Sequence, residues 1–234
     1  DLPEPHGLDE LRRFNTLQRG PVPLYGGERT LTDLRRIFSY AFQTKREPGH
    51  EYKETIATGT LSAVTGGFTA VACMPNTDPI NDSASVTEFI MKRAAETGLA
   101  RVYPIGAVSV GSRGEQLAEI ADLRAAGCVA IADDGKPVAT ALLMRRALEY
   151  ASMFNMPVID HCEDASLKDD GVAHEGAVAG LLGLKGIPGC CESIGVERGI
   201  SVAELVGGHF HVAHMSTRQS LRAVRAGKER GVRV

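Results

Sequence analysis

The 234 residues hold 26 Lys plus Arg against 29 Asp plus Glu, a formal charge of −3, and 43% of them are hydrophobic. That is an ordinary globular composition, which excludes collagen, coiled coil and an extended disordered chain and leaves no electrostatic footprint for nucleic acid or an anionic membrane. One large α/β domain fits the length, and a small molecule is the expected partner.

The opening Asp1-Leu2-Pro3-Glu4-Pro5-His6 lacks both the basic and the apolar part of a signal peptide, and no run reaches the ~18 apolar residues of a membrane span. A cytoplasmic location is expected. Residues 1–45 mix Pro, Gly and scattered charge, with Leu31, Leu34 and Ile37 suggesting one short helix. From about Glu51 a different rhythm begins. The β-rich runs Phe68 to Cys73, Val102 to Val108, Val129 to Ala132, Pro157 to Asp160 and Phe210 to Ala213 alternate with helical patterns, and Val232 could open a further strand.

Between the runs, Val86, Phe89, Ile90 and Ala94 keep the spacing of a buried helix face that ends at Gly98. Leu117, Ile120 and Ala121 do the same before Gly127, a helix is expected from about Ser193, and Ser216 can cap one that buries Leu221 and Val224. Strand and helix alternating at this spacing predict a parallel sheet with crossover helices. Cys73, Cys128, Cys162, Cys190 and Cys191 form no CxxC pair, and an odd five argues for reduced thiols. The first residue is Asp, the first Met is Met74, and the last residues look like the opening of a strand. A piece of a longer chain is therefore expected.

No GxGxxG or GxxxxGK[ST] follows any strand, so the phosphate loops of many open sheets are missing. Polar residues instead close successive strands: Asn76, then Asp133 and Asp134, then His161 and Glu163, then His214. In a barrel such ends converge on one face. Alternation places Phe210, Val212 and His214 on one face of their strand, opposite His209 and His211, which read as structural or surface residues. Gly135 allows a sharp turn after Asp134. Two imidazoles and a carboxylate suit Zn²⁺ or a similar ion that keeps a position for water. On spacing alone, three unrelated polar strand ends remain the alternative.

Several motifs together resemble dihydroorotase, in the long-chain bacterial branch of the amidohydrolases with an aspartate at the metal bridge. They are Arg46-Glu47-Pro48-Gly49, Thr58-Gly59-Thr60, Cys73-Met74-Pro75-Asn76-Thr77, Asp133-Asp134-Gly135, Asp160-His161-Cys162-Glu163 and His214-Met215-Ser216-Thr217. The resemblance runs from about Arg46 to Val234. It implies a (β/α)₈ barrel of the TIM type, here incomplete with about six βα units present, residues 46–234 forming it and residues 1–45 foreign to it. It also implies interconversion of N-carbamoyl-L-aspartate and dihydroorotate in pyrimidine synthesis, with zinc polarising the ring carbonyl and supplying hydroxide at neutral pH. Residue by residue, Asp134 matches the bridging carboxylate, His161 and His214 match two metal ligands, and Arg46 and Asn76 match groups that hold the substrate carboxylate. Arg46 suits that role because its fork binds a carboxylate through two parallel bonds.

The chain also departs from that pattern. Phe42 and Thr44 stand where the family carries its His-x-His pair, and neither can replace an imidazole on zinc. The family's general base would lie beyond Val234, so the chain as written is expected to be inactive and to hold at most one ion weakly. Everything before Arg46 changes at once while Asn76, Asp134, His161 and His214 remain, which a frameshift or gene-model error explains better than gradual decay. The alternatives are allantoinase or another cyclic amidase, and a non-catalytic scaffold subunit of aspartate transcarbamoylase. A homo-oligomer or a complex with that transcarbamoylase is the expected assembly.

Overall fold

The computed structural model describes residues 55–234. The short helix at Leu31 to Ile37, the replaced pair Phe42 and Thr44, and Arg46 lie outside the described residues. Helix α1 (Ile56–Thr65) starts at Thr55, whose hydroxyl accepts from the Thr58 N–H, and leads into strand β1 (Ala70–Cys73). There follow α2 (Ala84–Thr97), β2 (Arg101–Ala107), α3 (Ile120–Ala126), β3 (Ala130–Asp133), α4 (Ala141–Ser152) and β4 (Val158–Asp160). After the one-turn helix α5 (Ala165–Lys168) comes an excursion of β5 (Ala173–His174), α6 (Ala177–Leu181) and β6 (Gly186–Ile187). The long helix α7 (Cys190–Val206), strand β7 (Phe210–Val212) and helix α8 (Arg218–Glu229) complete the order.

Five strands form one parallel sheet in the order β1-β2-β3-β4-β7, and β5 with β6 makes a separate two-stranded ribbon. Parallel neighbours joined by helices give the arc of an incomplete α/β barrel. The expected strand at Val232 is not one, although Arg233 already offers its carbonyl to the Phe210 N–H at 2.9 Å.

Register fixes what each face carries. Ile131, Val158 and Phe210 are partners across β3, β4 and β7, and all three are buried against the helices, beside Leu123, Met144, Leu148, Val196 and Ile200. One step along, Ala132, Ile159 and His211 form a row on the opposite, inner side, where Ile105, Ala130 and Ala132 make a small core. Gly199 lets α7 close on the sheet, since a Cβ there would fall on the Phe210 ring.

Several expected details shift. Ile90 is buried as expected, but Phe89 is 63% exposed and Thr87 is the other buried residue of α2. Thr87 tolerates burial because its hydroxyl donates to Asn81 Oδ1 at 2.7 Å. Leu117 lies outside α3, in a bridge to Ser109. Helix α7 begins at Cys190, three residues before the expected Ser193. Thr217, not Ser216, caps α8 by accepting from the Ser220 N–H, and the Ser216 N–H goes to Glu192.

Candidate metal centre

The next row after Ala132 and Ile159 is Asp133 opposite Asp160, back on the helix side. Both carboxylates are buried and each takes hydrogen bonds from the neighbouring loop. Asp133 accepts from the N–H groups of Val108 and Ser109 at 2.9 and 3.1 Å and from the Ser109 hydroxyl at 2.5 Å. Asp160 accepts from the Val138 N–H at 2.8 Å, with the Arg198 guanidinium 3.9 Å away. Burial pushes both carboxyls above the usual range, against the pull of those bonds. Alternation then sends the following residues, Asp134 and His161, to the inner side. Gly135, at φ +75°, supplies the turn expected after Asp134.

His214 reaches the same place by a different route. Its strand alternates as far as Val212, with Phe210 buried and His211 exposed, and simple continuation would return His214 to the helix side. A φ of +33° at His214 breaks the alternation and swings the ring inward. His161 Nδ1 and His214 Nε2 face each other at 2.9 Å, with the ring planes at 72°. The donor atoms of Asp134, His161 and His214 all lie within 4.8 Å of one another. Asn76 donates to Asp134 Oδ2 at 2.6 Å and so borders the same point. Of the residues singled out in the sequence, the structure brings these four together, and Arg46 lies outside the described residues.

The cluster suits a divalent cation chemically. Burial and the nearby His214 ring hold His161 below its usual pKa, which favours the neutral imidazole that keeps a lone pair for coordination. Two nitrogens and one carboxylate oxygen are donors of the kind zinc takes in catalytic sites. The supporting residue Glu192 carries no signal in the sequence. Glu192, on α7, accepts from the N–H groups of Ser216 and Thr217 at 2.8 and 2.9 Å and ties down the loop that follows His214. It lies more than twenty residues from that loop, so no local spacing reveals it.

Comparison with known proteins agrees with this architecture. The family profile described as Dihydro-orotase-like matches residues 38–220. A dihydroorotase of Anaeromyxobacter sp. (strain K) is 59% identical over 189 residues, which cover 81% of this chain and 44% of that protein. The dihydroorotase of Syntrophobacter fumaroxidans is 56% identical over 189 residues, covering 81% and 43%. This chain thus spans less than half the length of these curated relatives. Among solved structures, an L-hydantoinase (dihydropyrimidinase) from Arthrobacter aurescens superposes with a TM-score of 0.60 at 16% identity, covering 75% of this chain and 40% of the other. A D-hydantoinase from Thermus sp. gives 0.54 at 23%, covering 77% and 41%. These likenesses show the α/β barrel fold. Among the described residues no helix is long and apolar enough to cross a membrane.

Proposed function

The chain belongs to the dihydro-orotase-like family, and on that premise we propose that its parent protein interconverts N-carbamoyl-L-aspartate and dihydroorotate in pyrimidine synthesis. The observation that carries this reading is the convergence of Asp134, His161 and His214 at the carboxyl ends of three strands, with Asn76 beside them. Asp134, His161 and His214 would hold Zn²⁺. When bound there, the ion would polarise a ring amide carbonyl and lower the pKa of water.

The chain's own residues set the conditions for that chemistry. A neutral His161 ring keeps one nitrogen lone pair for a cation, and Asn76 fixes one oxygen of Asp134 with its amide. Arg46 and Asn76 are proposed to hold the substrate carboxylate, and residues 46–234 to form the barrel part of the chain. Expressed alone, the 234 residues are proposed to be inactive, because Phe42 and Thr44 replace two ligands of the family pattern and its general base is expected beyond Val234. The retained donor set speaks against a purely scaffolding subunit.

The test is a graft of residues 46–234 into the frame of the Anaeromyxobacter dihydroorotase, assayed with dihydroorotate, hydantoin and allantoin. Ring opening of dihydroorotate above the other two is expected. A folded, zinc-loaded chimera that prefers allantoin or hydantoin would overturn the reading.

A further inference from the structure

The two nitrogens of the His161 ring face different partners. Nδ1 points at His214 Nε2, 2.9 Å away, and Nε2 looks toward Glu163 Oε2 at 3.7 Å. The other oxygen of Glu163, Oε1, accepts from Lys168 Nζ at 2.6 Å. The side chains of His161 and Glu163 are only 19% and 17% exposed, so this is not the usual solvated surface pair, which contributes little. The backbone beneath is also fixed. The Asp164 N–H donates to the Cys191 carbonyl at 2.9 Å, and Gly195 of α7 packs directly on residues 162 and 163.

A neutral imidazole carries one N–H, and the partner of the non-ligating nitrogen decides which one it is. We propose that Glu163, braced by Lys168, is a positioning residue whose carboxylate takes the hydrogen of His161 Nε2 and so leaves the Nδ1 lone pair facing Asp134 and His214. A movement of about 0.8 Å turns the 3.7 Å approach into a hydrogen bond, and the torsions of a glutamate side chain supply that readily. Lys168 occupies one carboxylate oxygen and thereby aims the other. With His161 hydrogenated at Nε2, the hydrogen between the two rings belongs to His214. The role goes beyond the ligand set and rests on the metal-site reading above.

The test uses the full 234-residue chain, labelled with ¹⁵N-histidine and free of metal, at fixed pH 8. Long-range ¹H–¹⁵N spectra report the tautomer of each ring, and His161→Ala identifies the His161 signals. We expect His161 hydrogenated at Nε2 in the wild type, and a population hydrogenated at Nδ1 in Glu163→Gln. Zinc affinity should fall about 10- to 100-fold in Glu163→Gln, and less, in the same direction, in Lys168→Met, where Glu163 is intact. A wild-type ring hydrogenated at Nδ1, or a Glu163→Gln chain with wild-type tautomer and affinity, overturns the positioning role. Equal zinc affinity in wild type and His161→Ala rejects the metal site instead, and the metal-free spectra still decide what Glu163 does to the ring.

Discussion

On the helix-facing side of the sheet, the row Ile131, Val158 and Phe210 is wholly apolar, whereas two residues further on the same side reads Asp133, Asp160 and Val212. The first row meets side chains from α3, α4 and α7, and burying it removes apolar surface from water. The second lies above those helices and meets the N–H groups of the loops that leave the preceding strands. A buried amide without a partner is costly, so a carboxylate at the strand end serves where a leucine would not. One strand thus carries two kinds of order. Its middle stabilises the fold through packing, and its end fixes the direction in which Asp134 and His161 leave.

The largest effect on the packed row is expected from Phe210→Ala. The ring fills the space left by Gly199, which has no side chain to take its place, so the deletion leaves a cavity and should destabilise the chain by about 3–5 kcal/mol in urea unfolding. A loss below about 1 kcal/mol would show that the packed row is not what holds β7 to the helices.

At the strand ends the expected effects are smaller and depend on polar partners. Asp133→Ala leaves the buried Ser109 N–H and the Ser109 O–H without their acceptor and should cost about 1–3 kcal/mol, while the Ser109 oxygen keeps the Gly114 N–H and the Val108 N–H keeps its bond to the Ala132 carbonyl. Asp133→Asn retains an acceptor and sheds a charge that burial disfavours, so it should cost less than the alanine variant. Equal costs for the two would mean that the carboxylate's charge, not an acceptor of that size at the strand end, is what matters there.

Glu192→Gln should have the smallest effect, about 0.5–1 kcal/mol, because the amide still accepts and solvent screens a partly exposed charge. Burial raises the Glu192 pKa, but hydrogen bonds from Ser220, Ser216 and Thr217 outweigh it and leave the group below the ordinary glutamate range. A folded-state value below the unfolded one contributes stability that is present above the unfolded pKa and lost as pH falls through the folded one. The gap between wild type and Glu192→Gln should therefore close in acid, and urea midpoints measured from pH 7 down to pH 3 would show it. A gap that widens in acid contradicts the assignment.

Much of the molecule was legible in the sequence for reasons visible in these rows. The runs ending at Cys73, Ala132 and Asp160 read as strands because β-rich residues are bounded by turns, and the structure places those strands within two residues of the expected limits. Asn76, Asp134, His161 and His214 were legible as strand-end polar residues. The errors have physical causes. Phe89 fits the apolar period of α2, yet the inward phase of that helix is set by Thr87, a polar residue whose partner Asn81 no hydropathy pattern reveals. The β5–β6 ribbon has two residues per strand, too few to show a period. His214 was expected to follow alternation, and its positive φ lies beyond any local propensity of the sequence. Glu192 and Lys168 act across the fold or across a turn, where residue type alone does not mark them.

Three strand ends converge on one point proposed to hold a cation, and zinc titration of the purified chain beside His161→Ala puts that to the test. Weak binding is expected in the wild type, falling by about tenfold or more when the imidazole is removed. Equal affinity in the two proteins would contradict it and would place any bound zinc elsewhere, with Cys190 and Cys191 at the start of α7 the first residues to examine.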